Sequence, residues 1–252
     1  MVKVIMHGCN GRMGTIISDL CEKDNDITIV AGVDKAGQSK FSYPVFASLG
    51  ECDVEADAVI DFSNASAVPE LLAYCVEKQV PCVLCTTGLS AELTEEVAKA
   101  SEKVAILKSA NMSLGINLLM KLLKEAAQVL AGAGCDIEIV EKHHNQMLDA
   151  PSGTAIALAD SINEEFDGAY EYVYDRSQRR AKRDAKELGI SAVRGGSIVG
   201  EHDVLFAGAD EVITFSHTAY SRAVFGKGAV EAAKFLAGKA PGMYNMSHVI
   251  NG

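Results

Sequence analysis

The sequence lacks an excess of basic side chains, and this excludes two classes of partner. Its 252 residues include 23 lysines and arginines against 34 aspartates and glutamates, a formal net charge of −11. Proteins that capture nucleic acid or an anionic membrane surface by electrostatic attraction need a basic footprint. We therefore expect neither nucleic acid nor a membrane among the partners of this chain.

The sequence also lacks long apolar runs, internal repeats and low-complexity linkers. Near the N-terminus, the apolar run at residues 4–6 is followed at once by His7 and Gly8, so it is too short for a signal peptide or a transmembrane span. Apolar residues make up 48% and charged residues 23% of the chain, fractions that exclude disorder, collagen and coiled coil. The length allows one large or two modest domains.

The cysteines do not form an even set, as a disulfide framework would require. There are seven, and we expect reduced thiols in a cytoplasmic protein. Cys82 and Cys85 have the CxxC spacing of a zinc or redox motif, but they fall on a predicted buried strand, where residues three apart point to opposite faces. Since no second ligand pair stands at zinc-like spacing, we expect no metal site.

Strand-like apolar segments alternate with helical periods in the first part of the chain. Strands are predicted at residues 2–6, 27–33, 58–62, 81–84 and 104–107. Helices are predicted after the glycine-rich turn to about residue 23, at 67–76 and at 91–100. This alternation predicts a parallel sheet built from right-handed crossovers.

The pattern changes after a long amphipathic stripe at residues 114–130, which we interpret as the helix that leaves the first domain. Strand-like segments at 136–140, 190–193, 204–207 and 212–215, with one helix at 152–162, predict a second sheet that is mostly antiparallel or mixed. A last helix at 223–237 is of the kind found in the first domain and suggests a return to it. The predicted fold class is α/β, with a Rossmann-type parallel-sheet domain plus a second α+β domain with a mixed sheet.

The glycine-rich turn, GCNGRMG at residues 8–14, follows the first strand and opens a helix. Its glycines let the backbone come close to a pyrophosphate, and the helix N-terminus presents N–H groups to that anion. The spacing is GxxGxxG rather than GxGxxG, so the strand–turn–helix context carries the assignment; the alternative is a turn that binds nothing. Asp34 after the second strand would bind a ribose 2′-hydroxyl, and Lys35 would instead meet a 2′-phosphate. Arg12 would contact a phosphate or lie on the helix surface.

The densest chemistry lies in EKHHNQMLDAPSGTA at residues 141–155. The adjacent His143 and His144 stand at a predicted strand end, and imidazole can give or take a proton near neutral pH. Pro151 suits a first helical position, which would put Gly153 and Thr154 in the first turn as a carboxylate cradle. The pattern favours a small carboxylated substrate, and the alternative is an ordinary helix cap beside surface histidines.

A basic segment at residues 176–186 holds six basic side chains and one aspartate. A run of this kind is typical of a solvated loop or helix face. The alternative is a loop that attracts an anionic substrate.

Several ordered motifs make the whole chain resemble the dihydrodipicolinate reductase family. The turn at residues 8–14 is similar to the family's GxxGRMG, and residues 141–155 are close to its HHxxKxDAPSGTA. The other matching motifs are DFS at 61–63, TTG at 86–88, SANMS at 109–113, IVGEH at 198–202 and the SHxAxSR segment at 216–222.

The resemblance implies a cofactor domain of residues 1–112 and 223–252, and a substrate-binding and oligomerisation domain of residues 113–222, assembled as a homotetramer. It implies hydride transfer from NADH or NADPH to a cyclic dicarboxylate, after or with loss of water, in the diaminopimelate route to lysine. The implied cofactor residues are Gly8, Cys9, Asn10, Gly11, Arg12, Met13, Asp34, Lys35, Phe62, Cys85, Thr86, Thr87, Ser109, Ala110, Asn111 and Met112. The implied substrate residues are His144, Ser152, Gly153, Thr154 and Arg222, with His143 as the proton donor or acceptor.

One position departs from the family pattern. Met147 stands where the family has a lysine that is treated as the proton donor, and a thioether can supply neither a proton nor a positive charge. Three interpretations follow: an engineered substitution, a natural protein that uses His143 or a water as the acid, or a weak or altered enzyme.

The choice of cofactor and the level of activity are separate expectations. Because Asp34 would repel a 2′-phosphate, we predict use of both cofactors with some preference for NADH. The leading hypothesis is an active reductase. The alternatives are a catalytically impaired relative that binds nucleotide and dicarboxylate, and another two-domain dehydrogenase acting on an amino or keto acid, which the DAPSGTA and IVGEH segments disfavour.

Overall fold

The computed structural model describes residues 1–37 and 40–252 and divides into two compact units. The first unit comprises Met1–Leu114 and Arg222–Gly252, and the second comprises Gly115–Ser221. The sequence places these divisions after residues 112 and 222, whereas the structure has them after Leu114 and Ser221.

The first unit is built on a seven-stranded sheet whose neighbouring strands are all parallel. The order across the sheet runs from the twelfth strand of the chain through strands six, five, four, one and two to strand three. Since the order reverses between strands one and four, the carboxyl ends of these strands border the crevice where such sheets bind ligands. The strands are β1 (Val2–His7), β2 (Ile27–Val33), β3 (Val45–Phe46), β4 (Ala58–Asp61), β5 (Cys82–Leu84), β6 (Ala105–Leu107) and β12 (Gly242–Tyr244).

Helices cover both faces of this sheet because its central strands carry buried apolar residues on both sides. In β1, Val4 and Met6 pack into one apolar layer and Ile5 into the other, as the two-residue period of a strand dictates. The first layer includes residues of α1 (Arg12–Cys21), α6 (Ala223–Leu236) and α7 (Met246–Asn251). The second includes residues of α2 (Val68–Lys78) and α3 (Ala91–Ser101).

The second unit is built on a mixed five-stranded sheet. Its strands are β7 (Asp136–His143), β8 (Glu171–Tyr174), β9 (Glu187–Arg194), β10 (Gly200–Ala207) and β11 (Val212–Ala219), in the order β11-β10-β7-β9-β8. The pairs β11–β10 and β10–β7 are antiparallel, and β7–β9 and β9–β8 are parallel. This sheet packs one face against α4 (Leu114–Gly132) and α5 (Gly153–Asn163). Among the described residues, no helix has both the length and the apolar composition that crossing a membrane requires.

The predicted fold class is confirmed, including the mixed character of the second sheet. The short strands β3, β8 and β12 and the helix α7 were not predicted, because two to six residues are too few for an apolar period to show. The predictions for β9 and β10 were too short, since these strands begin with polar residues and glycines, at Glu187 and Gly200.

Candidate active site

The glycine turn links the end of β1 to the start of α1. Gly8 has a positive φ of 82°, and a Cβ there would lie 2.6 Å from the carbonyl oxygen of Phe62. A Cβ on Gly14 would lie 2.2 Å from the carbonyl oxygen of Gly8. These two positions therefore require glycine, and the turn brings backbone N–H groups to an open edge of the sheet.

The start of α1 has the properties of an anion-binding site. Gly11 is the N-cap, no side chain caps the helix, and its first turn carries no acidic residue. The amide Nδ2 of Asn10 is buried and has no hydrogen-bond partner in the described part of the chain. Arg12 is exposed and Met13 half-buried. The turn therefore suits the pyrophosphate of a dinucleotide.

The predicted Cys9 is buried beneath this turn, at 1% exposure. Burial, followed by the charge of Asp34, raises the pKa of its thiol to about 11. Because the thiolate is the reactive form, a thiol with so high a pKa is unreactive at neutral pH. Cys9 therefore contributes its backbone to the turn, and its side chain packs in the core.

Asp34 fastens the turn to the end of β2. Its carboxylate accepts hydrogen bonds from the N–H of Asn10 at 3.1 Å and of Ala36 at 3.0 Å. Asp34 and the exposed Lys35 line a cavity of about 300 Å³ together with His7, Phe62 and other residues around the turn. This cavity has the position and the acidic group that an adenosine ribose requires.

A buried carboxylate organises the neighbouring strand ends. Asp61, fully buried at the end of β4, accepts a hydrogen bond from the Thr86 hydroxyl at 2.6 Å and from the N–H of Ser63 at 3.2 Å. Its other contact is His7 Nδ1, at 2.9 Å. Asp61 stands in the DFS motif, but neither it nor His7 was predicted as a site residue. Thr86 is thereby fixed, while Thr87 is exposed and Cys85 half-buried.

The segment after β6 completes this edge of the first unit. The Ser109 hydroxyl accepts a hydrogen bond from the N–H of Met246, and the Asn111 side chain accepts one from Ser113 N–H. Asn111 and Met112 are buried, and Ala110 is exposed. All the predicted cofactor residues therefore lie after carboxyl ends of strands in this sheet, which is where such sheets bind nucleotides.

In the second unit, the predicted carboxylate cradle begins α5. Ser152 is the N-cap, and its hydroxyl oxygen accepts a hydrogen bond from the N–H of Ala155 at 3.1 Å. Pro151 precedes this cap, so its predicted first helical position is wrong. The correct cap is serine because its side chain can satisfy a free N–H of the first turn. Gly153 is exposed, with no atom within 4 Å of an added Cβ, so the helix start faces open space.

His143 ends β7 and is nearly buried, at 8% exposure. Its Nδ1 lies 2.6 Å from the carboxylate of Glu141, which is fully buried on the same face of the strand. The ring packs edge-on against His202, with centroids 5.1 Å apart. His143 therefore has a fixed orientation, as a proton-transferring group requires.

Further imidazoles lie beside His143. His202 and His217 are cross-strand partners on β10 and β11. Burial, then the proximity of His143, lowers the pKa of His202 to about 4, and burial lowers that of His217. Both rings are therefore neutral at neutral pH. Their buried Nδ1 atoms, like that of His144, have no hydrogen-bond partner within the residues described.

Met147 lies in the turn between the histidines and the cradle. Its N–H donates to the carbonyl of His144 at 3.3 Å, and its side chain is half-buried. Arg222, another predicted substrate residue, belongs to the first unit, where it is the N-cap residue of α6.

The basic segment is occupied by ion pairs inside its own unit. Arg176 and Arg179 contact Glu187, and Arg183 contacts Asp136 and Glu138 at 2.9 Å. These contacts favour a structural role over attraction of substrate.

The CxxC pair lies at β5 and directly after it, with Cys82 buried and Cys85 half-buried. All seven cysteines are free thiols. In residues 1–37 and 40–252, no group of three or more histidine, cysteine or acidic side chains is placed to hold a metal ion.

Besides His7 and Asp61 in the first unit, two site residues of the second unit were missed, Glu141 and Arg194. The signal for Glu141 was present, because it continues the buried alternation of Ile137 and Ile139 towards His143. Arg194 lies more than fifty residues further along the chain, and nothing in its local sequence indicates its partner.

Comparison with known proteins gives full-length matches. The family models described as "Dihydrodipicolinate reductase, N-terminus" and "Dihydrodipicolinate reductase, C-terminus" match residues 2–112 and 115–250. The chain is 52% identical to the 4-hydroxy-tetrahydrodipicolinate reductase of Caldanaerobacter subterraneus subsp. tengcongensis, covering 99% of this chain and 98% of that protein. It is 51% identical to the protein of the same name from Clostridium tetani, covering 100% and 98%. A solved structure, dipicolinate-bound dihydrodipicolinate reductase from Paenisporosarcina sp. TG-14, matches with a TM-score of 0.80 at 25% identity, covering 97% of each chain.

Proposed function

The chain belongs to the dihydrodipicolinate reductase family, and from this premise we propose that it reduces 4-hydroxy-tetrahydrodipicolinate to tetrahydrodipicolinate. The observation that carries the proposal is the presence of both half-sites in one chain. The first unit has a glycine turn without a side-chain cap, and the second has His143 beside an open helix start. The reaction belongs to diaminopimelate and lysine biosynthesis, as the names of the relatives imply.

The substrate ring loses its hydroxyl group together with a hydrogen of the neighbouring ring carbon as water, and it gains one hydride and one proton. When bound, NADH or NADPH supplies the hydride. We assign the pyrophosphate to residues 8–13 and the adenosine ribose to Asp34. Thr86, Thr87 and residues 109–112 extend the site towards the nicotinamide, and Phe62 and Cys85 line it. The glycine turn, the buried Asn10 amide and the cavity beside Asp34 support this assignment.

The substrate carboxylates bind the start of α5 and the neighbouring imidazole. Gly153 and Thr154 begin the first turn of α5, whose N–H groups suit an anion, and we assign His144 and Arg222 to the same substrate. Ser152 acts mainly through its cap, because its hydroxyl also lies 3.1 Å from His202 Nε2. The dipicolinate held by the Paenisporosarcina relative is a dicarboxylate of this class.

The protein uses both cofactors and favours NADH. The Asp34 carboxylate lies next to the ribose position, where it would repel a 2′-phosphate, and the exposed Lys35 offsets this repulsion in part. KM values measured separately for NADH and NADPH test this order of preference. A large preference for NADPH would contradict it.

The proposed location in the cell and the proposed oligomeric state rest on the same family membership. We place the enzyme in the cytoplasm, in keeping with its free thiols, and expect a homotetramer assembled through the second unit. Light scattering of the purified protein should give four times the mass of the chain, and a monomer would contradict this.

The test of activity is oxidation of NADH or NADPH, followed by absorbance, with substrate made in situ by the preceding synthase. Turnover that depends on the synthase supports the reductase. Because Met147 replaces a lysine, the second candidate is an impaired relative, for which cofactor would bind without turnover. Absence of synthase-dependent turnover would overturn the proposed reductase, and absence of cofactor binding as well would overturn both candidates.

A further inference from the structure

Glu141 joins three segments of the second unit through one buried carboxylate. One of its oxygens accepts the N–H of Ser152 at 3.0 Å, at the start of α5. The other lies 2.6 Å from His143 Nδ1, on its own strand. Arg194 of β9 donates to both oxygens, at 2.7 Å each. The same arginine donates to the carbonyl of Asp149 at 2.8 Å, which fixes the loop that leads to the cradle.

The electrostatics of this cluster favour a charged Glu141. Burial raises the pKa of its carboxyl, but the hydrogen bonds from Arg194, His143 and Ser152 outweigh burial, and the net shift is downward. The hydrogen bond to Glu141 raises the pKa of Arg194. A buried pair of this kind adds little to stability over well-packed apolar residues. Its presence therefore calls for a role other than holding the fold together.

The geometry of His143 indicates that role. Since Nδ1 faces Glu141, the carboxylate holds the tautomer that carries its proton on Nδ1 and leaves Nε2 as the exchanging atom. Nε2 would lie 3.0 Å from a Cβ on Gly200, so glycine at that position leaves room beside it. The charged and titratable groups that face His143 are Glu141 on its own strand, Arg194 on β9, His202 on β10 and, beyond it, His217 on β11.

We propose that Glu141 and Arg194 are positioning residues of the reductase, which orient His143 for proton delivery through Nε2 and hold the substrate cradle through Ser152 and Asp149. The inference rests on the proposed function. In the step concerned, the Nε2–H bond of protonated His143 breaks and a C–H bond forms on the ring carbon next to the one that takes the hydride. The substrate is reduced by that hydride, and His143 regains its proton from water. Because Met147 cannot donate a proton, His143 would then be the general acid of this chain.

The variant Glu141→Gln removes the charge and keeps the size of the side chain. We expect kcat to fall about a hundredfold, as when the orienting carboxylate of a catalytic histidine is lost. The affinity for NADH, measured by fluorescence, should stay within about twofold.

Glu138→Gln is the matched control on the same strand. Glu138 also pairs with an arginine, Arg183 at 2.9 Å, but has no contact with the histidines in the described structure. Its kcat and pH profile should equal those of wild type. Arg194→Lys should raise KM for the substrate by about tenfold through loss of the paired hydrogen bonds.

A spectroscopic measurement covers the case in which Glu141→Gln folds poorly. In wild type, ¹⁵N NMR of the imidazoles should show His143 protonated on Nδ1 when neutral, and Glu141→Asp, which keeps the carboxylate, should retain this tautomer at reduced kcat. An Nε2-protonated wild-type tautomer would overturn the inference, and so would equal kcat values in Glu141→Gln and Glu138→Gln. If wild type itself shows no turnover, the proposed function fails instead.

Discussion

At the scale of single residues, Met147 bears most directly on rate. It lies in the turn after His144 with a half-buried side chain, so an amine introduced there would stand beside the proposed substrate site. Met147→Lys should raise kcat by about tenfold or more, because a general acid commonly contributes about 10²–10⁴ in rate. Steady-state kinetics with synthase-generated substrate measures this.

Met147→Leu is the control for this prediction. It keeps an apolar side chain of similar size, so kcat should stay within about twofold of wild type. If Met147→Lys also equals wild type, position 147 does not limit the proton transfer in this protein.

Residue chemistry was predictable where it is local in sequence. The glycine turn, the paired histidines and the cradle each lie within one short motif, and the residue types in these motifs indicate the chemistry they can perform. The burial of Glu141 could be read from the alternation of its strand, but the partners of Asp61, Glu141 and Arg194 required the fold, because those contacts join segments far apart in the chain. A buried carboxylate is costly without partners, and its partners here are distant in the chain.

At the scale of elements, the strand–turn–helix unit at the N-terminus depends on close backbone contact. A Cβ on Gly14 would lie 2.2 Å from the oxygen of Gly8 and 2.6 Å from that of Cys9. Gly14→Ala should therefore displace the turn and raise the Kd for NADH by about tenfold, or about 1.4 kcal/mol. Fluorescence titration with NADH measures the change.

Gly132→Ala tests whether this effect is specific to the turn. Gly132 also lies in a helix, α4, but nothing stands within 4 Å of its added Cβ. Its NADH affinity should equal that of wild type. An equal Kd for Gly14→Ala would show that the turn tolerates a side chain and that its close packing does not govern cofactor binding.

Elements were predictable where the apolar period is long. The strands from β1 to β6 that were predicted are short continuous apolar runs, and the helices between them and the stripe of α4 show the 3.6-residue period. The start of α5 was predicted at Pro151 or Ser152, two residues or one residue early, because both are good starting signals; the structure has Ser152 as the N-cap. The strand β8 has four residues and one fully buried side chain, which gives too weak a pattern to detect.

At the scale of the whole molecule, the net charge of −11 accords with a protein whose proposed ligands are small anions. Overall charge acts on encounter and solubility, whereas binding of a small anion depends on local groups. Here those groups are two helix starts, in α1 and α5, together with histidines and Arg222. The acidic balance therefore argues against polymeric anions as partners, and the proposed small anions would be bound by local groups.

The stability of the folded chain should depend on the protonation of His202. Its pKa is lowered to about 4 in the fold, against about 6.5 in an unfolded chain. Between these values the unfolded chain binds more protons, so the stabilisation is complete above about pH 6.5 and is lost as the pH falls towards 4. Urea unfolding gives the free energy of unfolding of wild type and of His202→Asn. The difference between these two free energies should narrow by about 2 kcal/mol from pH 7 to pH 4.5. A gap that stays constant would contradict the neutral, buried state of this imidazole.

Deuteride transfer tests the central claim, reduction of the dicarboxylate ring by this chain, most directly. The protein is supplied with NADH carrying deuterium at both C4 positions and with substrate made by the preceding synthase, and the product is examined by mass spectrometry. The account predicts tetrahydrodipicolinate that carries one deuterium atom, formed in step with the loss of reduced cofactor. Cofactor oxidation without deuterium in the product, or no tetrahydrodipicolinate at all, would contradict it.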